Sequence, residues 1–343
     1  MRLYRLTLDG SVLPINEIPE NTYLTCAFGC FDGVHIGHLA LLKAAVDTAN
    51  ALNKRCRNEK AVSNQTVAPN VLPAVWTFAS PVSNPWIISV PERLALCGKN
   101  GIRYAICQEF DDVRELSPAE FIFSICDRCK ITHAVCGYNF RFGKGRTGTP
   151  STLETLVNAA NLRYSPLTST SSPCITVINE VSVFDKPVSS TRIRALIAQG
   201  NMEDVRALLG RHYSMLGTVI SGNQIGRTLS RPTANLRYSP DQLIPHPGVY
   251  FTICSLNGHG YRAVTNIGYR PTVNTDPSDI TCETHLLDFT DSLYGEQVRI
   301  SFCHFARCEK AFPDLSELSA QINKDVADAV RYFHDNPTLT DTP

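Results

Sequence analysis

Two imidazoles, His35 and His38, close the segment Ala27-Phe28-Gly29-Cys30-Phe31-Asp32-Gly33-Val34-His35-Ile36-Gly37-His38, where an apolar run gives way to a helical pattern. Side chains that donate hydrogen bonds at such a junction suit anion binding, and a polyphosphate above all. Tyr23 to Phe28 reads as a short buried strand. Gly29 and Gly33 permit a tight turn with close backbone approach, and Ile36, Leu39, Leu42 and Val46 mark one face of the following helix. Free amides at that helix start contribute only about 0.3–1 kcal/mol toward an exposed anion, so two imidazoles are a sensible addition. One capping histidine beside one packed histidine is the other reading of the pair.

Further segments carry phosphate chemistry. Gly137-Tyr138-Asn139-Phe140-Arg141-Phe142-Gly143, followed by Arg146 and Gly148, trails a strand and offers arginine forks suited to phosphate oxygens. Val188-Ser189-Ser190-Thr191-Arg192-Ile193-Arg194 places hydroxyls at a helix start, with arginines behind them. Taken alone, that segment reads as an ordinary cap with solvated arginines. The run from Gly222 through Gly226, Arg227 and Ser230 to Pro232-Thr233-Ala234-Asn235 is glycine-rich and then turns at a proline. Its small residues let amides approach phosphates, while the Thr233 hydroxyl and the Asn235 side-chain carbonyl are hard oxygen ligands suited to Mg²⁺.

The elements that position these groups follow from periodicity. Short β-like runs at 74–78, 102–106 and 132–136 alternate with helical segments at 91–97, 118–129 and 151–160, which predicts a doubly wound parallel α/β domain. His35 and His38 then fall at the carboxyl ends of the strands, where such sheets bind ligands. Two polar stretches, 57–70 and 168–173, read as surface insertions without structure of their own. From Tyr213 the pattern becomes short alternating runs at 215–220, 249–254, 261–266, 281–289 and 298–302, which predicts a small antiparallel β-barrel closed by a helix over 315–333. A pair of short helices over 190–209 precedes it. The domain boundary is placed near Arg211, giving 1–211 and 212–343.

Bulk properties narrow the class. At 343 residues the chain exceeds the usual single core, so two domains are expected. With 32 basic against 32 acidic residues there is no net field to recruit nucleic acid or an anionic membrane. No apolar run approaches the roughly 20 residues that span a bilayer, and the start Met1-Arg2-Leu3-Tyr4-Arg5 lacks a signal-peptide core; a cytoplasmic protein is expected. The 13 cysteines sit in apolar segments, as at Cys26, Cys107, Cys136, Cys254 and Cys303, and read as reduced core residues. Cys126 and Cys129 have ligand spacing but no second pair to complete a tetrahedral metal site. A homo-oligomer is left open.

The string G-x-F-D-G-V-H-x-G-H resembles the nucleotidylyltransferase superfamily, and with Leu41-Leu42 it is similar to the amino-terminal module of the bacterial bifunctional riboflavin kinase/FMN adenylyltransferase family, also called FAD synthetases. The segments around Asn139 and Arg146 and around Ser190, Thr191 and Arg194 resemble that family's G-x-[DN]-F-R-F-G-x-x-R-x-G and I-S-S-T-x-I-R. The 222–235 string resembles its G-x-x-x-G-R-x-L-G-x-P-T-A-N. Pro247-Gly248-Val249-Tyr250, Asn266-Ile267-Gly268-Tyr269-Arg270-Pro271-Thr272 and Glu283-Thr284-His285-Leu286-Leu287-Asp288-Phe289 continue the likeness in order.

The resemblance implies ATP, riboflavin and FMN as substrates, Mg²⁺ as cofactor, and two activities. Gly29, Phe31, Gly33, His35, His38, Asn139, Arg146, Ser190, Thr191 and Arg194 would serve adenylyl transfer. His35, His38 and Arg194 would stabilise the triphosphate. Gly222, Gly226, Arg227, Thr233 and Asn235 would serve flavin phosphorylation, with Thr233 and Asn235 on the metal and Glu283 as the base.

The chain departs from the family at Cys30, which replaces an asparagine, and at Thr77-Phe78-Ala79-Ser80-Pro81, which replaces T-F-x-P-H-P and removes a flavin-side histidine. It departs again at Ser230, which adds a Cβ where the family has glycine. Two rival readings remain: a flavin-binding regulator without turnover, and a class I aminoacyl-tRNA synthetase, which shares H-I-G-H. No K-M-S-K-S-like segment supports the latter.

Overall fold

The computed structural model describes residues 1–62, 70–80, 85–164, 174–220, 233–239, 241–269, 280–289, 291 and 293–337. It divides into two compact units, one of Met1–Asn84 with Ser89–Ser189 and the other of Pro85–Ile88 with Ser190–Pro343.

The first unit runs β1 (Arg2–Leu6), β2 (Val12–Ile15), β3 (Thr22–Phe28), α1 (Ile36–Val62), β4 (Asn70–Phe78), α2 (Val90–Lys99), β5 (Tyr104–Gln108), α3 (Phe110–Val113), α4 (Pro118–Cys129), β6 (Ile131–Gly137), α5 (Pro150–Tyr164) and β7 (Ile175–Ile178), then the small hairpin β8 (Ser182–Val183) and β9 (Lys186–Pro187). One sheet has the order β2-β1-β5-β4-β3-β6-β7. From β5 through β7 every pairing is parallel. The order therefore reverses between β3 and β6, the switch point outside which doubly wound sheets hold their ligands.

An antiparallel edge, β1 and β2, is the element that alternation did not foretell. Its strands are short and half exposed, so they carry no continuous apolar run, whereas β3, β5 and β6 are almost wholly buried.

Local chemistry starts the helices where the sequence changes character. Ser117 accepts from Glu120 N and the Glu120 carboxylate reaches back to Ser117 N, a reciprocal cap with Pro118 in the first turn of α4. At the start of α2 Ser89 accepts from Glu92 N at 3.4 Å, with Pro91 in the first turn. The stretch from Arg57, expected to lack structure, continues as helix to Val62. Upstream of it the Asn53 side-chain amide exchanges two hydrogen bonds with the Val71 backbone, 2.6 and 2.8 Å, and so ties α1 to the start of β4; positions 63–69 lie outside the described residues. The second polar stretch, 168–173, lies outside the described residues.

The second unit opens with α6 (Ser190–Ala198) and α7 (Met202–Leu209), so the boundary placed at Arg211 falls between α7 and the first barrel strand. The strands are β10 (Tyr213–Ile220), β11 (Ala234–Tyr238), β12 (Gly248–Leu256), β13 (His259–Tyr269), β14 (Ile280–Leu286) and β15 (Gln297–Arg307), and α8 (Leu315–Asp335) follows. They close into an antiparallel barrel of order β10-β11-β14-β13-β12-β15. Its interior carries a ladder of fully buried threonines, Thr252 to Thr265 to Thr284, linked at 2.7 and 2.9 Å. Each hydroxyl satisfies another, which is what lets polar groups sit in a closed barrel. Outside, Ala329 and Phe333 of α8 pack against Phe251, Ile253 and Cys303.

All 13 cysteines are free thiols, and all but Cys30 and Cys308 are buried. Cys126 and Cys129 face the core of the first unit. No helix among the described residues is long and apolar enough to cross a membrane.

Candidate functional site

In the first unit the loop from β3 to α1 is strained. Phe31 and Val34 have φ of 51° and 42°, and Gly33 has 82°. Positive φ costs a side-chain residue of order 1–3 kcal/mol, most of all a β-branched one, so surrounding structure must impose it. Burial does so: Phe31 is fully buried and Val34 nearly so.

That conformation sets the imidazoles. His35 Nδ1 accepts from the His38 backbone N–H at 3.2 Å, which leaves Nε2 as the protonated nitrogen of a neutral His35 ring. The two rings stack with centroids 3.6 Å apart and planes 14° apart, and Phe31 packs on His38 at 5.1 Å. A Cβ on Gly37 would stand 3.2 Å from two His35 ring atoms, so the glycine between the histidines is there for the stack.

Around this loop the sheet brings others. The Gly137 to Gly148 segment follows β6 across the switch point; Asn139 and Arg146 are exposed there, and Arg146 has φ of 58°. Cys30 keeps part of its surface in solvent, yet desolvation pushes its thiol pKa up, Arg93 pulls it back, Asp32 raises it and Arg146 lowers it. Arg93 was missed in the sequence, because an arginine in an amphipathic helix reads as solvated. It is fully buried and donates to two backbone carbonyls, Cys30 O at 2.8 Å and Phe78 O at 2.5 Å. The Thr77 hydroxyl donates to the same Cys30 carbonyl at 2.8 Å.

Ser190 and Thr191 form the first turn of α6, and α6 groups with the second unit. Arg194 donates to the Pro85 carbonyl at 2.5 Å. Trp86 is buried beside it, hydrogen-bonded through its backbone to Asp241 and Leu243.

The second site is built by strand register. Asn235 pairs with Glu283, Glu283 with Asn266, Asn266 with Val249 and Val249 with Arg307, so these five share one outward row of the barrel. Thr233 precedes Asn235 by two. Between this row and α8 lies a cavity of about 320 Å³, lined by Thr233, Asn266, Glu283 and His285 on the barrel side and by Leu318, Ile322 and Val326 of the helix. Arg307 grips Asp325 through Nε and Nη2 at 3.0, 3.2 and 2.7 Å, and Gln321 donates to the same carboxylate at 2.8 Å. Neither Arg307 nor Asp325 stood out in the sequence, since their pairing crosses from a strand to a helix. Gly222, Gly226 and Arg227 lie outside the described residues.

A riboflavin kinase family model matches residues 209–333, and an FAD synthetase model matches residues 16–191. The chain is 30% identical over 316 residues to the bifunctional riboflavin kinase/FMN adenylyltransferase of Bacillus subtilis, covering 92% of this chain and 94% of that protein. The proteins of the same name in Pseudomonas fluorescens and Escherichia coli K12 are each 31% identical, the first covering 92% and 94% of the two chains and the second 89% and 91%. A solved structure described as a macrolide-efflux protein from Streptococcus pneumoniae shares the fold, with a TM-score of 0.73 at 24% identity over 91% of this chain and 95% of that one. The two matched models account for most of the chain and the relatives for nine-tenths of it, and by that measure this protein belongs to the bifunctional riboflavin kinase/FMN adenylyltransferase family.

Proposed function

We propose that the protein makes FAD in two ATP-dependent steps: the second unit phosphorylates riboflavin to FMN, and adenylyl transfer by the amino-terminal segment, 1–211, converts FMN to FAD with release of pyrophosphate. Residues 212–343 are assigned to the kinase. The observation that carries this reading is the cavity under α8, where Glu283 and Thr233 line a space of flavin size.

In the kinase step the riboflavin 5′-hydroxyl attacks the γ-phosphorus of ATP, the bond to the β-bridging oxygen breaks, and ADP leaves. The attacking hydroxyl loses a proton. Glu283 accepts it at a carboxylate oxygen, a role worth about 10²–10⁴-fold. Thr233 and Asn235 contribute a hydroxyl and an amide carbonyl, hard oxygens in the Glu283 neighbourhood, and this donor set fits Mg²⁺. When bound there the ion would neutralise phosphate charge.

Adenylyl transfer needs no base. An FMN phosphate oxygen attacks the α-phosphorus and pyrophosphate leaves, so positioning and charge neutralisation do the work. His35 donates through Nε2, His38 and Arg194 supply further donors to the triphosphate, and Asn139, Arg146, Ser190 and Thr191 orient the nucleotide. The backbone at Gly29, Phe31 and Gly33 lets the phosphates approach closely.

Incubation of the purified protein with riboflavin, ATP and Mg²⁺, followed by separation of flavins, tests both steps. FMN appearing first and FAD after it is the expected course. FMN alone would leave a kinase whose adenylyltransferase half has lapsed, the outcome toward which the missing flavin-side histidine at 79–81 points. Bound but unconverted riboflavin would leave a flavin-binding regulator.

A further inference from the structure

Among the described residues Arg93 is the largest fully buried side chain, and a purely structural role in a core would be a costly one. Removing a guanidinium from water costs several kcal/mol unless its donors are satisfied, and a helix that packs on a sheet can be built from apolar residues without that cost. Burial lowers its pKa only to about 10, so it remains a cation at neutral pH. It donates to backbone carbonyls at two separate places in the chain. Cys30 O belongs to the strained turn that ends in His35 and His38, and Phe78 O lies at the end of β4, where the chain departs from the family's flavin-side segment.

These loops leave neighbouring parallel strands just past the last ladder pair, Phe28 with Trp76. Past it the Gly29 amide donates to the Trp76 carbonyl at 3.3 Å, and one residue further Arg93 and Thr77 take over: the Cys30 carbonyl accepts from both, at 2.8 Å each. A peptide plane whose carbonyl is held from one side also has its N–H fixed in the opposite direction, so the Phe31 amide is aimed away from Arg93.

We propose that Arg93 is a positioning residue for adenylyl transfer, a buried cationic staple that sets the spacing between the phosphate-binding turn and the flavin-side loop and thereby aligns the FMN phosphate with the α-phosphorus of ATP. The inference rests on the adenylyltransferase reading of the first unit. Misplacement of a reacting group by about 1 Å costs on the order of 10²-fold in rate, which sets the expected effect.

The test is kinetic, on the full-length protein, with riboflavin phosphorylation by the second unit as an internal standard for folded enzyme. Arg93→Met should raise KM for FMN and lower kcat for FAD formation together, so that kcat/KM falls on the order of 10²-fold while FMN formation stays within twofold. Arg93→Lys keeps the charge but not the two-pronged fork, and should recover part of the loss. A residue with only a structural role would reduce the folded fraction, lowering kcat with KM unmoved and the conservative variant no better than its folding. That pattern, or a Met variant with kcat/KM within threefold of the parent, overturns the proposal. If Arg93→Met does not fold, Thr77→Val decides instead: a rise in KM for FMN supports the staple and an unchanged KM refutes it. A parent protein that forms no FAD would strike the adenylyltransferase reading itself, whereas full FAD formation by the Met variant strikes the staple alone.

Discussion

Glu283 owes its assigned role to its row on the barrel. A glutamate on a strand is ordinarily an exposed partner for a lysine, but register places this one beside Asn235 and Asn266 and at the wall of the cavity. Glu283→Gln keeps the shape and removes the proton acceptor. FMN formation should fall roughly 10²–10⁴-fold while conversion of supplied FMN to FAD is unchanged, read by separating the flavins from each reaction. Equal loss of both activities in a folded variant would refute the division of labour. In the other unit His38→Ala removes one donor and half of the ring stack, and it should depress FAD formation with no effect on FMN formation.

Elements hold these side chains through contacts that cross them. The grip of Arg307 on Asp325 fastens β15 to α8 at the edge of the cavity, and Asp325 is buried. Asp325→Ala leaves the arginine without its carboxylate and opens the cleft; it should destabilise the second unit by about 2–4 kcal/mol and raise KM for riboflavin, checked by thermal melting and initial rates. Gly248 shows why Pro-Gly-Val-Tyr is written as it is. Its φ is 152°, and a Cβ there would lie 2.6 Å from the Arg307 carbonyl oxygen and 2.5 Å from the Phe305 ring. Strands β12 and β15 pass that closely because no side chain intervenes, so Gly248→Ala should lower the melting temperature of the same unit by forcing a backbone shift worth about 1–3 kcal/mol.

Across the whole molecule, acid should loosen both units for the same reason. Desolvation holds His133 of the first unit at a pKa of about 4, and desolvation with help from Arg206 does the same for His212 of the second. In the unfolded chain each would titrate near 6.5. Between these values the unfolded state binds more protons than the folded one, so stability is complete above about pH 6.5 and declines as pH falls toward 4, by at most about 1.4 kcal/mol per pH unit for each histidine. Thermal melts from pH 7.5 to 4.5 check this. His133→Gln should flatten the decline for the first unit alone, and a slope identical to the parent would refute the assignment.

How far the sequence reached depends on whether a feature is local. The parallel α/β unit, the barrel and its last helix were legible because burial imposes a period on neighbouring residues, and the turn around His35 and His38 because glycines and imidazoles crowd into one short string. The antiparallel edge of β1 and β2 was not, since half-exposed short strands carry no period, and the helical extension to Val62 was not, since the polar run Arg57-Asn58-Glu59-Lys60 carries no apolar stripe. By itself the sequence determined the two architectures and the family, and it named the candidate reactive side chains. Only the tertiary structure decided which of them face one cavity, that a carboxylate on α8 meets an arginine on β15, and that Arg93 lies buried between two loops, because each of those facts is a distance between residues far apart in the chain.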